Sequence, residues 1–206
     1  MAMTFATSNT LLGALQPKGR AAQATTMLAA AFIGSMLLTL SAKISVPVWP
    51  VPVTLQTMAV AAIAAAFGAR VGVASVALYL TQGLAGLPVF AGAGAGAAYL
   101  LGPTGGFLLA WLPMAWVIGQ GADKGLSRNF FSLFALMVAG NAISFAAGFL
   151  WLLALSGQAG WIDQSAPVLS AFEGAIKPFI VWDILKMAFA ALSVIGGWAL
   201  VRRARG

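Results

Sequence analysis

Residues 130–155 read FFSLFALMVAGNAISFAAGFLWLLAL, a stretch without any charged side chain. A helix needs roughly 20 mostly apolar residues to cross the hydrocarbon core of a bilayer, so this stretch is long enough to do so. Further charge-free runs occur along the chain, and each is bounded by charged residues, proline or glycine. We therefore predict six transmembrane helices, at residues 25–42, 54–67, 71–83, 106–121, 130–155 and 178–201.

The composition of the whole chain agrees with this prediction. Of its 206 residues, 61% are apolar and 7% are charged, and the mean hydropathy is +0.96. Soluble domains usually carry about 25% charged residues, so much of the surface of this chain is predicted to face lipid. We predict an all-α integral protein of the cell membrane that crosses the bilayer several times.

The chain contains neither cysteine nor histidine. This excludes thiol nucleophiles, disulfides, imidazole bases and the usual ligand sets of zinc, haem and iron–sulfur clusters. We therefore predict that the chain is not an enzyme and that it uses no metal and no cofactor.

The basic residues predict the orientation of the helices. Cytoplasmic loops of membrane proteins carry an excess of lysine and arginine, and six crossings place eight of the eleven basic residues on one side. We therefore predict that both termini are cytoplasmic, with residues 1–24 as a tail at the membrane surface and residues 25–206 as one six-helix domain. The net charge of +7 is then explained by contact with anionic lipid rather than with nucleic acid. The eight basic residues are Lys18, Arg20, Arg70, Lys124, Arg128, Arg202, Arg203 and Arg205.

Small residues spaced by four permit close contact between helices in lipid, and two of the predicted helices carry such stripes. Gly140, Ser144 and Gly148 on the fifth helix favour packing within the bundle. On the first helix, Ala30 and Gly34 are predicted to form a face that docks another membrane subunit, with packing inside the bundle as an equal alternative.

One pair of ionisable residues lies within a predicted span. Asp183 and Lys186 stand three residues apart, on one face of a helix that begins after Lys177 at Pro178. With a rise of about 1.5 Å per residue, they lie roughly 8 and 12 Å inside the external end of this helix. Charged groups in lipid must be paired or hydrated. The two residues therefore either form a self-contained ion pair that fixes helix packing or bind a polar ligand with both donors and acceptors.

Two external segments flank this pair in the predicted topology. Residues 46–57, VPVWPVPVTLQT, contain three prolines that forbid a helix, so an extended loop leads into the second span. There Thr54 can cap the helix and Gln56 offers an amide. Residues 83–106 are uncharged and rich in glycine, which is typical of a lid that closes over a ligand or of a fixed re-entrant plug. This stretch lacks the features of dinucleotide and Walker loops, so ATP hydrolysis by the chain itself is not expected.

The order and spacing of these motifs resemble those of BioY, the biotin-specific substrate-capture subunits of energy-coupling-factor vitamin importers. The resemblance extends from Val46 to Ala191. It rests on Tyr79 with Gly83, VPVTLQT at residues 51–57, GLPVFA at 86–91, GPTGGF at 102–107, KPF at 177–179 and DILK at 183–186. Trp182 stands where we expect a small residue in this family, and it is predicted to narrow the pocket.

The resemblance implies a six-helix bundle like that of other energy-coupling-factor substrate-binding components. Such a bundle binds biotin near the external face, without a covalent change, and moves it across the cell membrane. The implied partners are biotin, the lipid bilayer, a second membrane protein of the importer and a pair of cytoplasmic ATPases that supply the energy.

The resemblance also implies roles for individual residues. Asp183 is expected to accept hydrogen bonds from the ureido N–H groups of biotin, and Lys186 to donate to the ureido oxygen or to the tail carboxylate. Six further residues are expected to complete the site: Gln56 and Tyr79 as polar contacts, Trp49, Phe90 and Tyr99 as the apolar wall, and Asn141 as an amide that reaches either the cavity or another helix.

Two other functions stay open at this point. The chain could be a capture subunit for another small vitamin, or a membrane assembly subunit that binds no ligand. In the second case Asp183 and Lys186 would bind only each other.

Overall fold

The computed structural model describes residues 9–156 and 160–205, which are mostly helical. A two-stranded antiparallel hairpin pairs β1 (Ser45–Val46) with β2 (Val53–Thr54), so that the proline-rich segment forms the loop between them. A 3-10 turn at Leu126–Arg128 separates the sixth and seventh helices. The helices are α1 (Leu11–Leu15), α2 (Arg20–Lys43), α3 (Gln56–Phe67), α4 (Ala69–Leu84), α5 (Gly96–Leu100), α6 (Gly105–Asp123), α7 (Phe130–Ala154), α8 (Pro167–Ala175) and α9 (Ile180–Arg205).

All six predicted spans are helical, and they correspond to α2, α3, α4, α6, α7 and α9. Within the described residues, four helical stretches are long and apolar enough to cross a membrane: Arg20–Lys43, Gly105–Asp123, Phe130–Ala154 and Pro167–Ala204. Helices α3 and α4 extend only about 18 and 24 Å, which is less than the hydrocarbon core of roughly 30 Å. The prediction of a helical membrane protein is therefore confirmed, whereas the number of crossings depends on these two short helices.

A single glycine forms the turn between α3 and α4. Gly68 has a φ of +86°, a conformation that side chains disfavour. The backbone N–H of Ala69 donates to Asp123 Oδ2 over 3.2 Å, which joins the turn to the end of α6. The two helices then run close together, because a Cβ at Gly72 would lie only 2.9 Å from the Ala64 Cα.

Helix α2 packs its small residues against α4. Ala30 and Gly34 are buried, and a Cβ at Gly34 would overlap the Ser75 side chain. Of the two alternatives for Ala30 and Gly34, the structure has packing inside the bundle, because their small side chains allow α4 of the same chain to cover them; docking of another subunit stays a prediction. The side of α2 that stays exposed carries large apolar residues instead, namely Leu28, Phe32, Ile33, Met36, Leu37 and Leu40.

The small residues on α7 face α6, as predicted. A Cβ at Gly148 would overlap the Phe107 ring, and one at Gly140 would lie 2.7 Å from Ile118 Cγ1. Glycine at both positions therefore permits the close approach of these two long helices.

The first described residues pack onto the bundle. Thr10 is fully buried, and Leu11 lies beside Gly197 of α9. Gly19, with a φ of +106°, separates α1 from α2, so α2 begins at Arg20 and the predicted domain boundary at residue 24 falls inside a helix. Residues 1–8 of the predicted tail lie outside the described residues.

The two ends of the bundle differ. At one end, Asn9 Nδ2 donates to the Asp123 carbonyl over 3.1 Å, and Trp198 Nε1 donates to Ser127 Oγ over 3.2 Å. The Arg128 guanidinium lies 4.8 Å from the centroid of the Trp198 ring. The opposite end contains the β-hairpin, α5, α8 and the start of α9. At that end a cavity opens between the helices.

Candidate functional site

The paired charges lie at the start of α9. Lys186 Nζ donates to Asp183 Oδ1 over 2.6 Å, and both residues are buried, with 1% of Asp183 and 8% of Lys186 exposed. The helix begins at Ile180 rather than at Pro178, so Asp183 falls in its first turn. The free N–H groups of a first turn favour an anion there. The pair therefore lies closer to the helix end than predicted.

Asn141 on α7 holds the other side of the carboxylate. Its Nδ2 donates to Asp183 Oδ2 over 3.1 Å, so each carboxylate oxygen accepts one hydrogen bond. Asn141 was predicted to reach either the cavity or another helix. In the structure it contacts Asp183 on α9, and it does not line the cavity. Because an ionised carboxylate offers about four lone pairs, Asp183 can still accept further hydrogen bonds.

A cavity with about 510 Å³ of empty space, including its open mouth, lies beside the pair. The aromatic wall of the cavity consists of Tyr99, Phe107, Trp111, Phe145 and Phe179. Its polar groups come from Thr54, Gln56, Thr57, Thr104, Asp183 and Lys186.

Gln56, the first residue of α3, lines the cavity in a fixed orientation. Its Nε2 donates to the Tyr79 hydroxyl over 2.6 Å, and its Oε1 accepts from Thr54 Oγ1 over 3.2 Å. Thr54 Oγ1 also accepts from the Gln56 backbone N–H, but Leu55 is the N-cap of α3, so the predicted capping role of Thr54 is wrong. Tyr79 is fully buried behind Gln56. Tyr79 therefore orients Gln56 and does not line the cavity, and its contact with the ligand stays a prediction.

Phe90 lies behind the cavity rather than in its wall. The ring is fully buried and stacks on Tyr99, with 4.9 Å between the centroids. Its edge meets Tyr79 at 5.5 Å. A Cβ at Gly83 would overlap the Phe90 ring, so glycine at this position makes room for it. Phe90 therefore supports Tyr99, which does line the cavity as predicted.

The glycine-rich loop between α4 and α5 is fixed by a lysine. Lys43 Nζ, at the end of α2, donates to the carbonyl groups of Pro88, Phe90 and Gly92 over 2.6, 2.8 and 2.7 Å. These three bonds hold the loop over the aromatic stack, and Ala91 of the loop lines the cavity.

The phenol of Tyr99 stays neutral. Burial raises the pKa of Tyr99 above its ordinary value, and hydrogen bonds with Thr104 and the Ala91 backbone oppose this shift in part. A neutral hydroxyl can donate as well as accept at the wall of the cavity.

Trp49 and Trp182 also lie outside the cavity, like Asn141, Tyr79 and Phe90. Trp49 is 73% exposed and borders an outer groove with Pro50 and Trp161. Trp182 is 60% exposed and faces a separate groove beside Val46. The loop between the strands therefore carries Trp49 outward, and Trp182 does not narrow the cavity, because it projects from another face of α9 than Asp183.

The similarity of the chain to known proteins identifies its family. A family model, described as the BioY family, matches residues 11–203. The chain belongs to the BioY family. Among curated BioY relatives, the biotin transporter BioY2 of Lactococcus lactis subsp. cremoris (strain MG1363) is 35% identical over 170 residues, which cover 82% of this chain and 87% of the relative. The biotin transporter BioY of Thermotoga maritima is 36% identical over 160 residues, which cover 78% and 88%.

A solved structure matches the BioY chain over most of its length. It is the crystal structure of the S-component for biotin from an ECF-type ABC transporter. The TM-score is 0.74, with 27% sequence identity, and the match covers 91% of this chain and 94% of the other. The predicted resemblance to an energy-coupling-factor substrate-binding component is thus confirmed for the fold.

Sequence reasoning missed several residues that line the cavity of this BioY chain. Phe107 and Phe179 stand inside motifs that carried the resemblance, so the motifs themselves were a usable signal. Trp111 follows Phe107 by one helical turn, which places both on one face of α6. The other missed lining residues are Thr57, Thr104, Phe145 and the apolar Val51, Pro52, Ala91 and Leu108.

Proposed function

We propose that this protein captures biotin at the external face of the cell membrane and takes part in its uptake. The observation that carries the proposal is an aromatic cavity, open at its mouth, whose wall holds a buried Asp183–Lys186 pair, in a chain of the BioY family. Relatives of the chain are named biotin transporters, which supports uptake rather than catalysis.

The pair matches the polar part of biotin. Asp183 can accept from a ureido N–H through lone pairs that Lys186 and Asn141 leave free. The Lys186 ammonium has three donors, one of which bonds Asp183, and it can donate another to the ligand. The ligand can therefore join the pair without breaking it, so no charge is left unpaired in the bundle.

The aromatic wall matches the apolar part. Phe107, Phe145 and Phe179 offer flat surfaces to the thioether ring and the hydrocarbon chain of biotin. Most of the affinity then comes from enclosing these apolar groups in a largely preformed cavity, while the polar groups select the ligand.

We further propose six crossings with both termini in the cytoplasm. The contacts among Asn9, Asp123, Ser127 and Trp198 support this topology, because they bring the first described residues, the end of α6 and the last part of α9 to one end of the bundle. The basic residues concentrate at this end, as the positive-inside rule requires of a cytoplasmic face. Residues 1–24 then belong to the cytoplasmic side, with α1 packed on the bundle.

Energy for import would come from partners, a second membrane protein and two cytoplasmic ATPases. The similarity to the S-component of an ECF-type ABC transporter supports this arrangement. Ala30 and Gly34 could contact such a partner only if α2 moved away from α4.

The proposal is tested by binding of radiolabelled biotin to the purified protein. The wild type is expected to bind, and Asp183→Asn to lose most of the affinity. Lys177→Met is the matched control, since Lys177 lies near the start of α9 but is paired with Glu173 at the surface. Absence of binding in the wild type would contradict the proposed function, and competition by another vitamin but not by biotin would identify a different ligand.

A further inference from the structure

Trp111 on α6 combines a place in the cavity lining with an unpaired hydrogen-bond donor. The residue lines the cavity and is only 4% exposed. Its buried Nε1 has no hydrogen-bond partner among residues 9–156 and 160–205. An unpaired buried donor costs free energy, so a ligand acceptor that reached Nε1 would remove this cost.

Two other indole donors show the contrast. Trp151 Nε1 donates to the Gly102 carbonyl over 2.9 Å, and Trp198 Nε1 donates to Ser127 Oγ over 3.2 Å. Thr57, on the cavity wall, resembles Trp111, because its buried Oγ1 likewise has no partner in the described part of the chain. Among the described residues, Gln16 Nε2, Asn141 Oδ1 and Ser144 Oγ are also buried without a partner, but only Thr57 and Trp111 combine an unpaired group with a place in the cavity lining.

The chemistry of these two groups restricts what they can bind. An indole N–H only donates, so the matching ligand atom must be an acceptor. The charged groups among the described lining residues are Asp183 and Lys186, whose charges cancel. A buried anion at Trp111 would therefore lack a compensating charge, which is strongly unfavourable. A neutral acceptor fits, whereas a carboxylate does not.

We propose that Trp111 Nε1 and Thr57 Oγ1 form a second polar subsite that binds an uncharged carbonyl oxygen of the ligand. This inference rests on the proposed function: in biotin the atom is the ureido carbonyl oxygen, whose N–H groups face Asp183. The bicyclic ring then lies in the depth of the cavity. The tail carboxylate points to the mouth, where solvent can compensate its charge.

The test compares Trp111→Phe with Trp116→Phe in the full-length protein. Phenylalanine keeps an aromatic surface but removes the donor, and Trp116 lies on the same helix, 55% exposed and outside the cavity. We expect Trp111→Phe to weaken biotin binding by about tenfold and Trp116→Phe to leave it unchanged. Trp111→Phe loses no internal hydrogen bond, so the unfolding midpoint of the ligand-free variant measures the smaller ring and the removed donor, which act in opposite directions.

Two biotin analogues locate the contact. For an analogue with a methyl group in place of the carboxylate, Trp111→Phe should reduce the binding affinity by the same factor as for biotin. For 2-thiobiotin, whose sulfur is a weaker hydrogen-bond acceptor than oxygen, Trp111→Phe should reduce the binding affinity by a smaller factor. If the effect of Trp111→Phe vanished with the methyl analogue, the tail carboxylate would be the bound group and the proposed subsite would be wrong.

The outcomes separate the two proposals. Wild-type binding together with a change of less than about twofold in Trp111→Phe overturns the subsite and leaves the biotin function intact. Absence of wild-type binding overturns the function itself. If Trp111→Phe does not fold, the wild type and Thr57→Val still decide: the wild type should prefer biotin to 2-thiobiotin, and Thr57→Val should reduce that preference. Equal preferences in both proteins would refute the subsite.

Discussion

Asn141 on α7 donates a hydrogen bond to Asp183 on α9, with 3.1 Å between Nδ2 and Oδ2. The bond crosses between two long helices and reaches the carboxylate from the side that Lys186 leaves open. The bond thereby fixes the orientation of the Asp183 carboxylate, which we propose as the hydrogen-bond acceptor for the ligand.

Substitution of Asn141 by leucine should lower both stability and affinity. Removing a hydrogen bond to a buried charged group costs about 1.5–3 kcal/mol, and the carboxylate can then rotate away from the ligand. The free energy of unfolding and the biotin dissociation constant measure the two effects. Ser144→Ala is the control on the same helix, because within the described residues the Ser144 hydroxyl has no partner to lose. Equal effects of both substitutions would contradict the role of Asn141.

Removal of Lys186 alone should be more damaging than removal of both charges. Lys186→Met leaves Asp183 buried without its cation, which typically costs about 3–5 kcal/mol of stability. The double variant Asp183→Leu/Lys186→Met should recover much of this loss but bind no biotin. Thermal unfolding and ligand binding, measured in parallel, distinguish a pair that only stabilises packing from a pair that also binds ligand. Retained biotin binding in the double variant would favour the first interpretation.

Gly83→Ala should destabilise the protein by about 1–3 kcal/mol, because the added methyl group overlaps the Phe90 ring. The displaced ring would disturb its stack on Tyr99 and hence the cavity wall. Gly196→Ala in α9 is the matched control, since a Cβ there meets no atom within 4 Å. Differential scanning calorimetry should show an unfolding temperature below that of the wild type for Gly83→Ala but not for Gly196→Ala.

Lys43→Met should release the loop between α4 and α5. The carbonyl groups of Pro88, Phe90 and Gly92 would lose their common donor. Each hydrogen bond to a charged group contributes about 1.5–3 kcal/mol, so we expect faster dissociation of bound biotin by tenfold or more. A filter assay with radiolabelled biotin measures the rate. A rate equal to that of Lys177→Met would mean that the loop does not restrain the ligand.

Tyr79→Phe tests how Gln56 is oriented. Loss of the hydrogen bond to the Gln56 amide should cost about 0.5–1.5 kcal/mol, and it should weaken biotin binding although Tyr79 lies outside the cavity wall. A double-mutant cycle with Gln56→Ala should show strong coupling between the two positions. Additive effects would mean that Tyr79 acts independently of Gln56.

The long helices were predictable because their signal is local. A charge-free run such as residues 130–155 must be buried in lipid or protein, and the structure has α7 at Phe130–Ala154. Asp183 and Lys186 were predictable for the same reason, since their spacing along one helix places them on one face. Periodicity contains no such information about the start of α9, because Pro178 can precede a helix as readily as begin it.

The rest of the site depends on contacts between distant segments. Whether Ala30 and Gly34 face a partner or α4 depends on the side of α2 that meets Ser75. Tyr79 and Phe90 were predicted to contact the ligand, but they lie behind the cavity. The sequence does not distinguish these positions, because aromatic residues occur both in pocket walls and in the core. Trp111 was missed because a tryptophan in an apolar helix gives no sign, in sequence, that its N–H is unpaired.

The cancelling charges of Asp183 and Lys186 have an electrical consequence. Carrying one elementary charge through a membrane potential of 100 mV involves about 2.3 kcal/mol, whereas a neutral pair moves through the same field without such work. If the loaded site changes its depth during import, the voltage acts on it only through the carboxylate of the vitamin itself. The direction of uptake must then be set by the gradient of the vitamin or by the partner proteins, and not by the polarity of the membrane.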